Sequence, residues 1–146
     1  MIVRPLSAED RRQCQPLWDG YNLFYDRPNL AAEITESAWA RFLDPGERMH
    51  AAVAELDGRI VGIVHYLYHR STTSVEDVCY LQDLFTAPEA RGQGVGRTLI
   101  EYVYAAAAKS GSRRVYWQTH EANPARKLYD RVAGVTPFRR YVKELA

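Results

Sequence analysis

With 146 residues, 25% of them charged, and a net charge of +1, the chain suits one domain with an ordinary core and has no global field that would select nucleic acid or an anionic membrane. Cys14 and Cys79 lie far apart without CxxC or Cys/His spacing, which argues against a disulfide framework or a zinc site and fits a reducing compartment. Neither a basic-then-apolar leader pattern nor a membrane-length apolar run is present, so the expectation is a single cytoplasmic domain over residues 1–146 with no metal.

In chain order, Ile2 to Arg4 reads as a short strand. Ser7-Ala-Glu-Asp10 places an acid three residues after a capping serine, and Cys14, Leu17, Trp18, Tyr21, Phe24 and Tyr25 follow at helical spacing. Asp26-Arg-Pro-Asn29 breaks that helix. A second helix is expected with Thr35 as its cap, Ala38, Trp39 and Phe42 inward, and Asp44-Pro-Gly46 as its stop. Met49 to Leu56 and Arg59 to His69 are strand-like runs joined by Asp57-Gly58, a dipeptide that accepts the positive φ angles of a tight hairpin. A strand over Val78 to Thr86 extends this antiparallel meander.

Next, Arg91-Gly-Gln-Gly-Val-Gly-Arg97 opens a helix in which Leu99, Ile100, Val103, Ala106 and Ala107 repeat at the helical period up to Ser110-Gly111, where glycine fits a C-cap. Arg114 to Thr119 reads as a strand, and a right-handed crossover makes it parallel to the strand before the helix. A last helix spans Ala125 to Val132, and Phe138 to Leu145 reads as a final strand. The expected fold class is α/β: one mixed sheet of about six to seven strands, antiparallel in its first half with a parallel pair in the centre, and helices on both faces.

A glycine-rich turn between a strand and a helix N-terminus suits a phosphate, because backbone amides and the helix dipole point the same way. A P-loop requires Gly-Lys-Ser/Thr, whereas Gly96 is followed by Arg97 and no lysine appears before Lys109. A dinucleotide fingerprint requires a third glycine where Arg97 stands. What remains is Arg91-x-x-Gly94-x-Gly96, which resembles the Arg/Gln-x-x-Gly-x-Gly/Ala signature of the GNAT superfamily of acyl-CoA-dependent N-acetyltransferases. Tyr80 to Ile100 resembles that family's principal cofactor motif, and Arg114 to Tyr129 resembles the strand and helix that follow it.

The resemblance implies acetyl-CoA as cosubstrate and a primary amine, most readily of a small molecule such as an amino acid or polyamine, as acceptor. A non-catalytic acyl-CoA-binding module and an enzyme acting on protein or peptide amines are the alternatives. By the same resemblance, the backbone of Leu84, Phe85 and Thr86 pairs with the pantetheine arm, and the amides of Gln93, Gly94, Val95, Gly96 and Arg97 hold the pyrophosphate, with Arg91 beside them. Asn123 resembles the asparagine that contacts pantetheine, although it stands six residues before Tyr129, where the family interval is seven. Tyr129 resembles the tyrosine that protonates the leaving thiolate.

By resemblance to polyamine-type members, Asp83 neighbours the catalytic cleft and is the first candidate for general base or for a clamp on the substrate ammonium, with His120 and Glu121 as alternative proton acceptors near the cleft. Gln82 stands where polyamine-type members carry a second acid, and adjacent strand residues face opposite ways unless a bulge intervenes. Tyr25 and Asp26, at the end of the first helix, are the candidate substrate contacts. His50, His65 and His69 show no metal spacing and read as surface or strand polar residues. The aromatic tail Phe138 to Tyr141 permits a homodimer.

Overall fold

The computed structural model describes residues 1–146. Near the N-terminus, Ser7 N donates to Asp10 Oδ2 at 2.7 Å, the reciprocal bond that a capping box provides. Asp10 is buried and accepts two further hydrogen bonds from the Arg4 guanidinium, which holds its carboxyl below the usual range and ties β1 (Ile2–Pro5) to the helix start. A single 3₁₀ turn, Ala8–Asp10, leads into α1 (Arg11–Phe24). The next helix, α2 (Ala32–Leu43), begins earlier than expected, with Ala31 at the N-cap. Thr35 lies inside it, and its hydroxyl accepts from Trp18 Nε1 at 2.9 Å, a link between helices rather than a cap.

The hairpin of β2 (Met49–Leu56) and β3 (Arg59–His69) turns on Asp57 and Gly58, both with positive φ, at +50° and +77°. Those angles match the twist that two-residue hairpins need. The sheet has five strands in the order β1-β2-β3-β4-β5, with β4 at Val78–Thr86 and β5 at Val115–Tyr116. All neighbouring pairs are antiparallel except β4 and β5, which are parallel.

Two expectations fail here. The strand count is five rather than six to seven, and residues 133–146 form no strand at all. Phe138 and Tyr141 are 89% and 95% exposed, so the tail finds no neighbouring strand with which to pair its backbone. A strand-like pattern without a partner does not make a strand.

The helices α3 (Val95–Lys109) and α4 (Arg126–Val132) follow the glycine turn and β5 respectively. Gly111, at φ +93°, closes α3 as its sequence suggests, and Ser112 N returns to Ala107 O at 2.9 Å. The sheet is covered on both faces. On one, Gly62 of β3 meets Val95 and Leu99 of α3 so closely that an added Cβ would lie 2.7 Å from Val95 Cγ1. On the other, Trp18 of α1 and Phe42 of α2 pack against β3, and Gly20 lets α1 lie directly on the Phe85 ring of β4. Ile63, Val64, Leu99, Ile100 and Val103 are sealed in the resulting core. Cys14 and Cys79 are free thiols in it, pushed up to about 12 by burial and so inert as nucleophiles.

Candidate active site

Two strands that start side by side and then part create the first element of the site. β4 and β5 pair only at Cys79–Val115 and Tyr80–Tyr116, so beyond Tyr80 one edge of β4, including Leu84, Phe85 and Thr86, has no strand beside it. At its far end the chain turns through Pro88–Ala90 into the glycine segment. Gly94, at φ +82°, is the N-cap of α3, with open space where a Cβ would stand.

The amides of Gln93, Gly94, Val95, Gly96 and Arg97 have no acceptor within the protein, and Thr98 is the first to donate, to Gly94 O at 3.0 Å. Five consecutive unpaired N–H groups at the positive end of a fifteen-residue helix form a ready anion cradle. Arg91 does not reach over it. Its guanidinium lies 5.4 Å from the Phe85 ring centroid, and Nε donates to Thr86 O at 3.3 Å, fastening the turn to β4.

A bulge in β4 builds the second element. Tyr66 pairs with Leu81, but its neighbour His65 pairs with Asp83, leaving Gln82 as the extra residue. Alternation is therefore interrupted, and both Gln82 and Asp83 line one cleft of about 520 Å³ between α2 and the sheet. Trp18, Ile34, Phe42 and Met49 supply its apolar walls, and Glu33, Ser37 and Arg41 its polar side from α2.

His65 is a strand polar residue, as the sequence suggests, but a buried and paired one. It is 9% exposed, and its Nδ1 lies 2.9 Å from Asp83 Oδ2, with the ring held against Phe42 at 4.4 Å and Trp18 at 5.4 Å. The Tyr21 phenol, on α1, is raised by burial and then by the Asp83 carboxylate, so it stays protonated beside the pair. The signal available in the sequence was a histidine in the phase of Val61, Ile63 and Leu67 along a strand otherwise apolar at those positions.

Tyr129 on α4 packs edge-on against Trp117 at 5.5 Å, and burial, with a smaller contribution from Tyr25, pushes its phenol up to about 12. Tyr25 is thus a neighbour of Tyr129 rather than a wall of the cleft. Asp26 is exposed at a φ of +60° just past α1 and lines no part of the cleft. His120 and Glu121 are exposed in the loop between β5 and α4, where His120 Nδ1 accepts from Ala122 N at 3.1 Å and Glu121 O from Arg126. Asn123 caps the same loop: Nδ2 donates to Thr119 Oγ1 at 2.8 Å and Oδ1 accepts from Ala125 N at 2.9 Å. No cluster of metal-ligating side chains is present.

The whole arrangement has counterparts among known proteins. Residues 12–135 match the acetyltransferase (GNAT) family. The chain belongs to the GNAT acetyltransferases. It is 36% identical over 136 residues to the D-amino-acid N-acetyltransferase HPA3 of Saccharomyces cerevisiae, covering 91% of this chain and 84% of that protein. An uncharacterized N-acetyltransferase, YhfO of Bacillus subtilis, is 30% identical over 134 residues, covering 89% of this chain and 87% of the relative. In fold, the chain is similar to a ribosomal-protein-alanine N-acetyltransferase from Brucella melitensis biovar Abortus 2308, with a TM-score of 0.75 at 19% identity over 99% of this chain and 100% of that one.

Membership makes the protein an acyl-transferring enzyme of a family whose members use acetyl-CoA as cosubstrate. The residues present fit that molecule chemically. Unpaired amides suit its diphosphate, and the open edge of β4 suits an extended arm that itself carries amides.

Proposed function

We propose that this GNAT enzyme transfers the acetyl group of acetyl-CoA to the primary amine of a small molecule, an amino acid being the acceptor class the cleft favours. The observation that carries this is the run of five unpaired amides, Gln93 to Arg97, continuous with the free edge of β4. In this reading the amides hold the diphosphate, and the backbone of Leu84, Phe85 and Thr86 aligns the pantetheine arm so that its thioester end lies near the bulge. Acetyl-CoA supplies an activated acetyl group whose leaving thiol needs only a proton. Tyr129, which burial keeps protonated, is the group placed to donate that proton in this reading.

The cleft beside Asp83 is the acceptor site. Arg41 lines it and forms no ion pair within the protein, while the other wall carries Asp83, so a ligand with both a carboxylate and an amine is complemented at both ends. The apolar side chains between them suit an uncharged side group. The relative named for D-amino-acid acetylation supports the same class. A polyamine could pair with Glu33 and Asp83 but would leave Arg41 facing like charge.

Calorimetry with acetyl-CoA, followed by a CoA-release assay over D- and L-amino acids, diamines and peptides, tests the reading. Micromolar cofactor binding and release with free amino acids are expected. Absence of any heat with coenzyme A would remove the cofactor assignment, and turnover confined to diamines or peptides would remove the acceptor assignment. The exposed tail beside a two-residue β5 further supports a homodimer joined through residues 133–146.

A further inference from the structure

We propose that His65 is the general base of the transfer, with Asp83 as its positioning residue rather than the base itself. This rests on the proposed acetyl transfer and names the group that takes the proton. Amine acetylation cannot proceed from an ammonium, and an amine that titrates above neutrality is mostly protonated at pH 7. A base inside the cleft is therefore required, and two groups are there to serve.

Geometry separates them. Asp83 Oδ2 is occupied by His65 Nδ1 at 2.9 Å, inside a site where both side chains are largely buried. With Nδ1 protonated and donating to the carboxylate, the lone pair of the ring belongs to Nε2. That nitrogen makes no hydrogen bond in the protein, and it is not sealed from solvent either, since the sole buried polar side-chain atom without a partner is Asp77 Oδ1. Phe42 and Trp18 clamp the ring, which holds the imidazole among the residues that line the cleft. A carboxylate orienting an imidazole whose other nitrogen is open to substrate is the arrangement that general base catalysis uses on unrelated folds.

The step balances as follows. Nε2 takes one proton from the substrate ammonium and later passes it to solvent. The freed lone pair forms the C–N bond at the thioester carbonyl, the C–S bond breaks, and the thiolate takes the proton of the Tyr129 phenol. The second proton of the original ammonium leaves the new amide nitrogen and restores Tyr129 through water. The net products are the amide, the thiol and one proton. Groups that face or border His65 are Asp83 from β4, Glu33 and Arg41 from α2, Tyr66 from its own strand, and Cys14 and Tyr21 from α1, of which only Asp83 bonds to the ring.

The discriminating variant is His65→Asn, because its Nδ2 can keep the bond to Asp83 while Nε2 is gone. With acetyl-CoA affinity and melting temperature as controls for folding, kcat on an amino-acid acceptor should fall about a hundredfold or more, and the acidic limb of the pH profile should flatten. Free imidazole should restore part of the rate in His65→Ala. Asp83→Asn, which leaves His65 in place but frees its tautomer, should lower kcat more than it changes KM. The assignment is overturned if His65→Asn keeps a wild-type pH profile and turns over within about threefold of wild type. It is equally overturned if Asp83→Asn alone abolishes turnover while His65→Asn does not. A wild-type enzyme inactive on every amine would instead discard the acetyl-transfer reading, a result separable from these because it needs no variant.

Discussion

Gly94 holds a φ of +82°, a conformation that a branched side chain adopts only at a cost of roughly 1–2 kcal/mol. No neighbour lies within 4 Å of the missing Cβ, so packing within the protein does not claim the space. Gly94→Val should therefore weaken acetyl-CoA binding by about tenfold or more in calorimetry, beyond a modest loss of stability. Tyr129 poses a question of protonation instead. A phenol pushed up to about 12 keeps its proton throughout the neutral and mildly alkaline range, so its capacity to donate is constant below that value and falls only as pH rises through it. Tyr129→Phe should accordingly reduce kcat by a factor that stays the same from pH 7 to about 10, with acetyl-CoA affinity unchanged. A factor that shrinks steadily over that range would show that another group donates.

Among the secondary-structure elements, β3 is the one on which both halves of the site depend. Its Gly62 accepts α3 at close range, which sets the helix whose first turn carries the unpaired amides. Three residues on, His65 faces the opposite helices and the cleft. An added side chain at residue 62 would meet Val95 and Leu99 at 2.7 and 2.9 Å, both on a buried face of α3 with little room to yield. Gly62→Val should cost about 1–3 kcal/mol, read as a lower denaturation midpoint with the slope unchanged, and should weaken acetyl-CoA binding through displacement of α3. Opposite β3, the bulge in β4 decides what lines the cleft. Without an extra residue at Gln82, the neighbours Gln82 and Asp83 would point to opposite faces. With it, the carboxylate lies beside His65 while Gln82 stays exposed on the same wall.

Considered as one molecule, the protein ends its sheet abruptly. β5 contributes only two residues, and the following tail leaves Val135, Phe138, Tyr141 and Leu145 exposed. In the proposed homodimer these apolar side chains are the surface that a second copy covers. Light scattering should give twice the monomer mass, and removal of residues 136–146 should return the monomer while the far-UV signal of the remaining helices persists. A monomer with the tail intact would refute the dimer. No helix is long and apolar enough to cross a membrane.

Much of this was legible along the chain because it is local. The capping box at Ser7, the Asp57-Gly58 hairpin, the period of α3 and its Gly111 cap each depend on a few adjacent residues, and so does the glycine turn that carries the family resemblance. The missing last strand was not legible, since pattern and propensity do not supply the neighbour whose hydrogen bonds a strand needs. The burial and pairing of His65 were not legible for a related reason: its burial comes from Trp18 and Phe42 on separate helices, and its partner arrives through a register shift in β4. Backbone conformation and the anion cradle were thus fixed by short-range sterics and hydrogen bonding. The His65–Asp83 pair and the cleft beside it came from long-range packing, because distant side chains acquire a common environment only when the sheet and both helical layers close around them.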